Sequence, residues 1–398
     1  MNNAAQTQYE QTLWTKNFIL ISLTNLLLFI SFHMLSPSFP FFIKNGLGGT
    51  DQQAGLAAGL FAVSSICIRP FAGWFLDNIS RKLAVFCGLF FLLLMTFGYI
   101  FAGSIGLVLL LRFLQGFGWG FGSTGIATNA SDTIPTKRFG EGMGYYGMTS
   151  SLSMAIAPAL GIYLAFELGF KPLFIISIVI GLCSILIATR FKFKKLNKTM
   201  AARPFDIKRD LFSKGALPAA LVMLFACMPY GAAATFVAIY GDSEGIENTG
   251  IYFTVMAVFT ILCRLFFARI SDTKGADGIV FISLLTFAVS LAVLYFTENI
   301  FIYCLAAAFM GIGFGLSVPA LNALAVRNAP LDQRGAANST FLTSFDIGMG
   351  LGGYLAGQIC GLIGYDKMFL SMLFAVVLSG VFYIKLVRGG IRTANRPK

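Results

Sequence analysis

An all-α membrane protein, with twelve transmembrane helices in two pseudo-symmetric six-helix bundles, is the fold this sequence predicts, and three observations carry it. The 398 residues are 57% hydrophobic and only 12% charged, with a mean hydropathy of +0.78, which does not describe a pair of soluble domains. Apolar runs of roughly 20 residues, the length one helix needs to cross the hydrocarbon core, recur along the whole chain. A shift of 195 positions also lays charged, proline and glycine landmarks of the first half on those of the second: Arg69 on Arg264, Asp77 on Asp272, Pro135 on Pro330 and Gly140 on Gly335. The ladder Gly116, Gly118, Gly120 falls on Gly311, Gly313, Gly315 at the same shift.

The spans follow in order. The first, 18–39, precedes eleven more apolar runs instead of a small-residue cleavage site, so it is expected to be retained and not removed as a signal peptide. Spans two to six are 53–76, 83–102, 106–128, 142–166 and 171–190. The longest polar interval then separates them from spans seven to twelve, at 216–240, 249–268, 278–296, 300–326, 336–362 and 367–387. The domain division expected is an N-terminal bundle over 1–190, a basic linker over 191–214 and a C-terminal bundle over 215–398. Nine Lys and Arg between Arg190 and Lys214 suit a solvated loop lying near anionic headgroups.

Charge distribution orients the bundle. Of the 29 Lys and Arg, 23 fall at the ends of even-numbered spans and at the termini. Three, Lys44, Lys171 and Lys367, fall on the other side, and Arg69, Arg112 and Arg264 lie within spans. By the positive-inside rule both termini are then cytoplasmic, in a bacterial plasma or inner membrane. The same distribution argues against nucleic acid as the meaning of the net charge of +12, because no soluble basic domain presents it. All seven cysteines fall in proposed spans without a C-x-x-C pair, which reads as packing and not as a disulfide or metal cluster. Nothing resembles a nucleotide loop or the motif of a membrane metalloenzyme, so no cofactor is expected.

Polar residues inside spans are costly, and each has two readings. Asp77 with Arg81 and Lys82 ends span two, where a carboxylate can clasp helix amides or a basic side chain and act as a conformational gate; Gly73, one turn earlier, suits close helix approach. Arg112 enters span four by some six residues, and is either functional or buried in a pair, or else snorkels to the surface. Asp346, about a dozen residues into span eleven, sits roughly mid-membrane at ~1.5 Å per residue. It is either a proton carrier, since desolvation favours the neutral acid, or a structural partner of a neighbouring span. His33, the only histidine, titrates in the physiological range or serves in packing. Asn25, Asn129, Gln115, Asn322 and Gln358 either bond a solute in the cavity or link helices.

With these residues in place the chain resembles the major facilitator superfamily over essentially its whole length. That superfamily's signature between spans two and three, G-x-x-x-D-(R/K)-x-G-R-(R/K), is matched by Gly73, Asp77, Arg81 and Lys82, while Asn78 and Ser80 depart from it; Asp272 echoes it in the second half. Arg112, Gln115 and Gly116 fit the R-x-x-Q-G pattern of its proton-coupled exporters. Gly144, Ser153, Ala157, Pro158, Gly161 and Ile162 stand at the positions of the antiporter motif of span five, with Gly144, Pro158 and Gly161 matching outright and Ile162 departing. The stretches "RPFAG", "IPTKRFGEGMGYYG" and "FDIGMGLGG" are similar to the bacterial efflux branch that includes sugar-efflux-like permeases and the staphylopine exporter.

The resemblance implies parallel six-helix repeats rocking about a central cavity. The function expected is export of a small organic solute, a drug, sugar or metallophore-like metabolite, in antiport with protons and driven by the proton gradient. Uptake of a sugar or organic anion by proton symport is the alternative, and a membrane-embedded enzyme or lipid-handling protein is a third reading without a supporting motif. The partners expected are the solute, protons and membrane lipid, with the protein acting as a monomer. The assigned roles are a gate at Gly73, Asp77, Arg81, Lys82 and Asp272; proton coupling at Asp346, Arg112 and His33; a cavity at Asn25, Gln115, Asn322 and Gln358; and helix packing at Gly144, Ala157, Pro158 and Gly161.

Overall fold

The computed structural model describes residues 12–135, 138–193, 213–327 and 334–388. Every regular element among them is helical. In the first half these are α1 (Lys16–Leu35), α2 (Asp51–Asn78), α3 (Arg81–Gly98), α4 (Ile105–Thr133), α5 (Phe139–Glu167) and α6 (Phe170–Ala188). Local chemistry sets their starts. The hydroxyls of Thr15, Ser80 and Ser104 accept from the amides of Phe18, Leu83 and Leu107, and Thr50 with Gln53 forms a capping box before α2. Pro37 follows closely on the end of α1, after which the chain continues through a short helix, Ser38–Phe41, and a π-helical turn, Phe42–Gly46.

The second half contains α7 (Leu217–Ser243), α8 (Ile251–Arg264), α9 (Asp277–Tyr295), α10 (Ile300–Arg327), α11 (Arg334–Ile363) and α12 (Tyr365–Arg388). Helical backbone runs unbroken from Ile251 to Tyr295, where the sequence predicts two spans. Thr260 donates to the carbonyl of Gly311 and Ser290 to that of Ala306, so both arms reach neighbouring turns of α10. A straight helix would hold Thr260 and Ser290 about 45 Å apart. The chain therefore reverses between them, and α8 and α9 are separate passes. Ten of the twelve helices are long and apolar enough to cross a membrane by themselves, and the shorter α8 and the more polar α11 complete the count.

The 195-residue shift holds in the packing as well as in the sequence. A Cβ at Gly116 would meet the carbonyl oxygen of Phe61, and one at Gly311 that of Met256, the same pair moved by 195. Gly118 lies against Leu92 and Gly313 against Phe287; Gly120 faces the Ser65 carbonyl and Gly315 that of Thr260. The glycine ladder is thus a close-approach surface in each half, placing α4 on α2 and α3, and α10 on α8 and α9. The turns between α5 and α6 and between α11 and α12 repeat too. Gly169 (φ 86°) and Gly364 (φ 88°), again 195 apart, take the left-handed conformation that a side chain would disfavour. Two bundles related by this shift make up the molecule, and the expected linker over 191–214 lies almost wholly outside the described residues.

Candidate functional site between the two bundles

The bundles meet along α2 against α11 and along α5 against α8. At the end of the molecule away from the basic loops the contact is backbone on backbone. A Cβ at Gly55 would stand 2.8 Å from the Gly353 carbonyl and 3.0 Å from the Gly357 Cα, and one at Gly250 would stand 3.2 Å from the Ala159 Cα. A polar cluster joins the halves there: Lys44 Nζ is 2.8 Å from Asp51 and donates to the Tyr365 hydroxyl at 2.5 Å, and that hydroxyl donates to Asp51 at 2.7 Å.

Towards the basic end the contacts become long side-chain reaches. Arg69 of α2 crosses to Asp346 of α11, with Nη2 2.6 Å from Oδ2 and both side chains more than four-fifths covered. Arg264 of α8 donates to the Ser151 hydroxyl of α5. One turn beyond Arg69, a Cβ at Gly73 would meet nothing, nor would one at Gly144 or Gly147 at that end of α5. In this arrangement Gly73 and Gly144 are therefore not the close-approach positions their motifs suggest. Gly161 is one, packed on the Met34 backbone, with Ala157 fully buried and Pro158 inside α5.

A small cavity opens between the bundles, lined by Phe32, Phe61, Ser65, Arg112, Thr235, Asp346 and Met349 among others. Arg112 is 3% exposed, which rules out snorkelling. Its Nη1 donates to Gln115 Oε1 at 2.8 Å, and its guanidinium lies over the rings of Phe39 (4.1 Å), Phe61 (5.0 Å) and Phe32 (5.7 Å). Gln115 is fully engaged, accepting also from Tyr99 and donating to Thr96, so it anchors Arg112 and has no free group for a solute. Asn25 likewise ties α1 to α5 through Thr149, Ser150 and Tyr146. His33 is buried against Phe29, Phe32 and Trp119, a packing environment.

The remaining expectations scatter. Asn129 bonds the Gly125 carbonyl of its own helix. Asn322 on α10 is half-buried with its Oδ1 unpartnered, and Gln358 is half-buried on α11. Arg81 pairs with Asp132 at the end of α4, within one bundle, and Lys82 lies over the Phe86 ring. The side chains of Asp77 and Asp272 lie outside the described residues. Sequence reasoning gave no role to Arg69, Arg264 or Ser151; the available signal was an arginine well inside a span, repeated at the 195-residue shift.

A profile described as Major Facilitator Superfamily matches residues 21–279 and again 220–397. An uncharacterised MFS-type transporter of Burkholderia mallei (strain SAVP1) is 28% identical over 376 residues, 88% of each chain. YhhS, an uncharacterised MFS-type transporter of Escherichia coli (strain K12), is 25% identical over 340 residues, 83% of each. Among solved structures, a variant of the nucleoside transporter NupG superposes with a TM-score of 0.77 at 13% identity, covering 93% of this chain and all of that one.

Proposed function

The chain belongs to the major facilitator superfamily, a multi-pass membrane transporter and not an enzyme, and from that premise we propose that it is a proton-coupled antiporter exporting a small organic solute by alternating access. The observation that carries the reading is the Arg69–Asp346 ion pair, which joins the two bundles inside the membrane. A proton taken up by Asp346 removes one of the two charges that hold α2 to α11, so protonation and separation of the bundles are linked by the same contact. Removing one partner of a buried pair costs about 3–5 kcal/mol, enough to redistribute two conformations decisively. Export as the direction is supported by the R-x-x-Q-G and span-five patterns, and cytoplasmic termini by the basic loops at one end. With that orientation the structure is closed on the outer side, at Gly55, Gly357 and the Lys44–Asp51–Tyr365 cluster, while the cytoplasmic glycines Gly73, Gly144 and Gly147 have open surroundings.

The test is Asp346→Asn in reconstituted vesicles. The neutral amide stands in for the protonated acid, so uphill transport driven by a proton gradient falls severely while exchange of labelled for unlabelled solute persists. Uphill transport at the normal rate and pH dependence would remove Asp346 from coupling. Uptake driven by proton entry would favour the symport reading.

A further inference from the structure

The shift that relates the halves also carries one interbundle contact onto the other. Arg69 becomes Arg264, and Ser151 becomes Asp346, each by 195 residues. The same guanidinium thus leaves each bundle and arrives at the same position of the opposite one. It finds a carboxylate on the α2–α11 side and a hydroxyl on the α5–α8 side. The interface is symmetric in shape and asymmetric in charge.

The imbalance sits where charge is expensive. Arg264 has a buried Nε without a hydrogen-bond partner, and among the described residues no carboxylate pairs with it. Arg112 is likewise held by an amide oxygen and phenyl faces, without an acid in reach among the described residues. Asp346 is already matched by Arg69, so the space between the bundles carries an excess of fixed positive charge. The Ser151 hydroxyl now donates to the Gly147 carbonyl of its own helix, a bond that a hydroxyl can exchange for a better acceptor by rotation. The phenol of Tyr230 lies within electrostatic range of Arg264.

We propose that Arg264 and Ser151 form an oxyanion site, at which a carboxylate or phosphate group of the transported solute takes the place that Asp346 takes at Arg69. A guanidinium offers two parallel donors matched to such a group, and Ser151 supplies a third. The solute is then an organic acid or phosphate ester, and it acts as the missing acid of the interface: bound, it ties α8 to α5 as Asp346 ties α11 to α2. The class of solute rests on the transport reading above, whereas the anion site can be tested without transport.

Purified full-length protein in detergent is titrated with acetate and with inorganic phosphate, against chloride at equal ionic strength, following thermal unfolding. Wild type is expected to show a saturable rise in Tm with the oxyanions beyond that with chloride. Ser151→Asp, which supplies the acid from the protein, and Arg264→Gln should each raise the half-saturating concentration by about tenfold or more, with Ser151→Asn affecting it less than Ser151→Asp. In a second measurement, alkylation of Ser151→Cys should slow in phosphate and not in chloride, which decides the matter if a charged variant fails to fold. A wild type that responds alike to all three anions, or a Ser151→Asp variant that responds as wild type does, overturns the site. A wild type that exchanges solute in vesicles but ignores both oxyanions overturns the anion site and leaves the transport reading standing. One that binds them yet moves no solute upholds the site and counts against transport.

Discussion

At the scale of single residues, the membrane interior separates polar groups by what they touch. Arg112 is held by a hydrogen bond and by aromatic faces, and desolvated cation–π contacts contribute about 2 kcal/mol or more. Phe39→Leu should therefore lower stability by roughly 1–3 kcal/mol, from lost packing and lost cation–π attraction together. In an Arg112→Met background the same substitution should cost less, and the difference, read from thermal unfolding of the four proteins, measures the coupling. If Phe39→Leu costs the same in both backgrounds, its ring serves in packing alone. The sequence marked Arg112 and Asp346 as costly, since charge in a span is visible in one dimension. Their partners were not visible there, because Asp346 is 277 positions from Arg69 and nothing local to either names the other. Asn25 and Gln115 were misleading for the same reason: an amide in a span reads identically whether it faces a cavity or its neighbours Tyr146 and Tyr99.

Helices were the legible level. Runs of apolar residues and the caps before them set eleven of the twelve passes closely, and only the turn between α8 and α9 departs, with helical backbone continuing through it. Glycines show where element-level reading stops. Gly73 and Gly116 look alike in a span, yet a Cβ at Gly116 would collide with Ser64 and Phe61 while one at Gly73 would meet nothing. Gly116→Ala should destabilise by about 1–3 kcal/mol through overpacking, and Gly311→Ala by a similar amount, as its repeat. Gly73→Ala should instead stabilise this arrangement by up to about 1 kcal/mol, the helix-propensity difference. Thermal unfolding of the three variants checks the ordering. A slower transport cycle in Gly73→Ala, despite its higher Tm, would show that the other arrangement brings a helix against Gly73.

For the whole molecule, the basic asymmetry predicts sidedness. A cysteine placed at Lys171 or Lys367 should react with an impermeant maleimide added to intact cells, and one at Arg327 or Lys385 only after permeabilisation; the reverse pattern would invert the topology. The backbone contact at Gly55 and Gly357 also makes the molecule a lever. If that contact is the fulcrum, Arg69 rides an arm of 14 residues, about 21 Å long. A rotation of only about 7° then moves it by some 2.5 Å, enough to part an ion pair held at hydrogen-bond distance. The Arg69–Asp346 contact is accordingly the tripwire of the motion: it parts in the first few degrees of opening, before the longer arms beyond it have swung far, so a single proton at that point has mechanical advantage over the entire bundle.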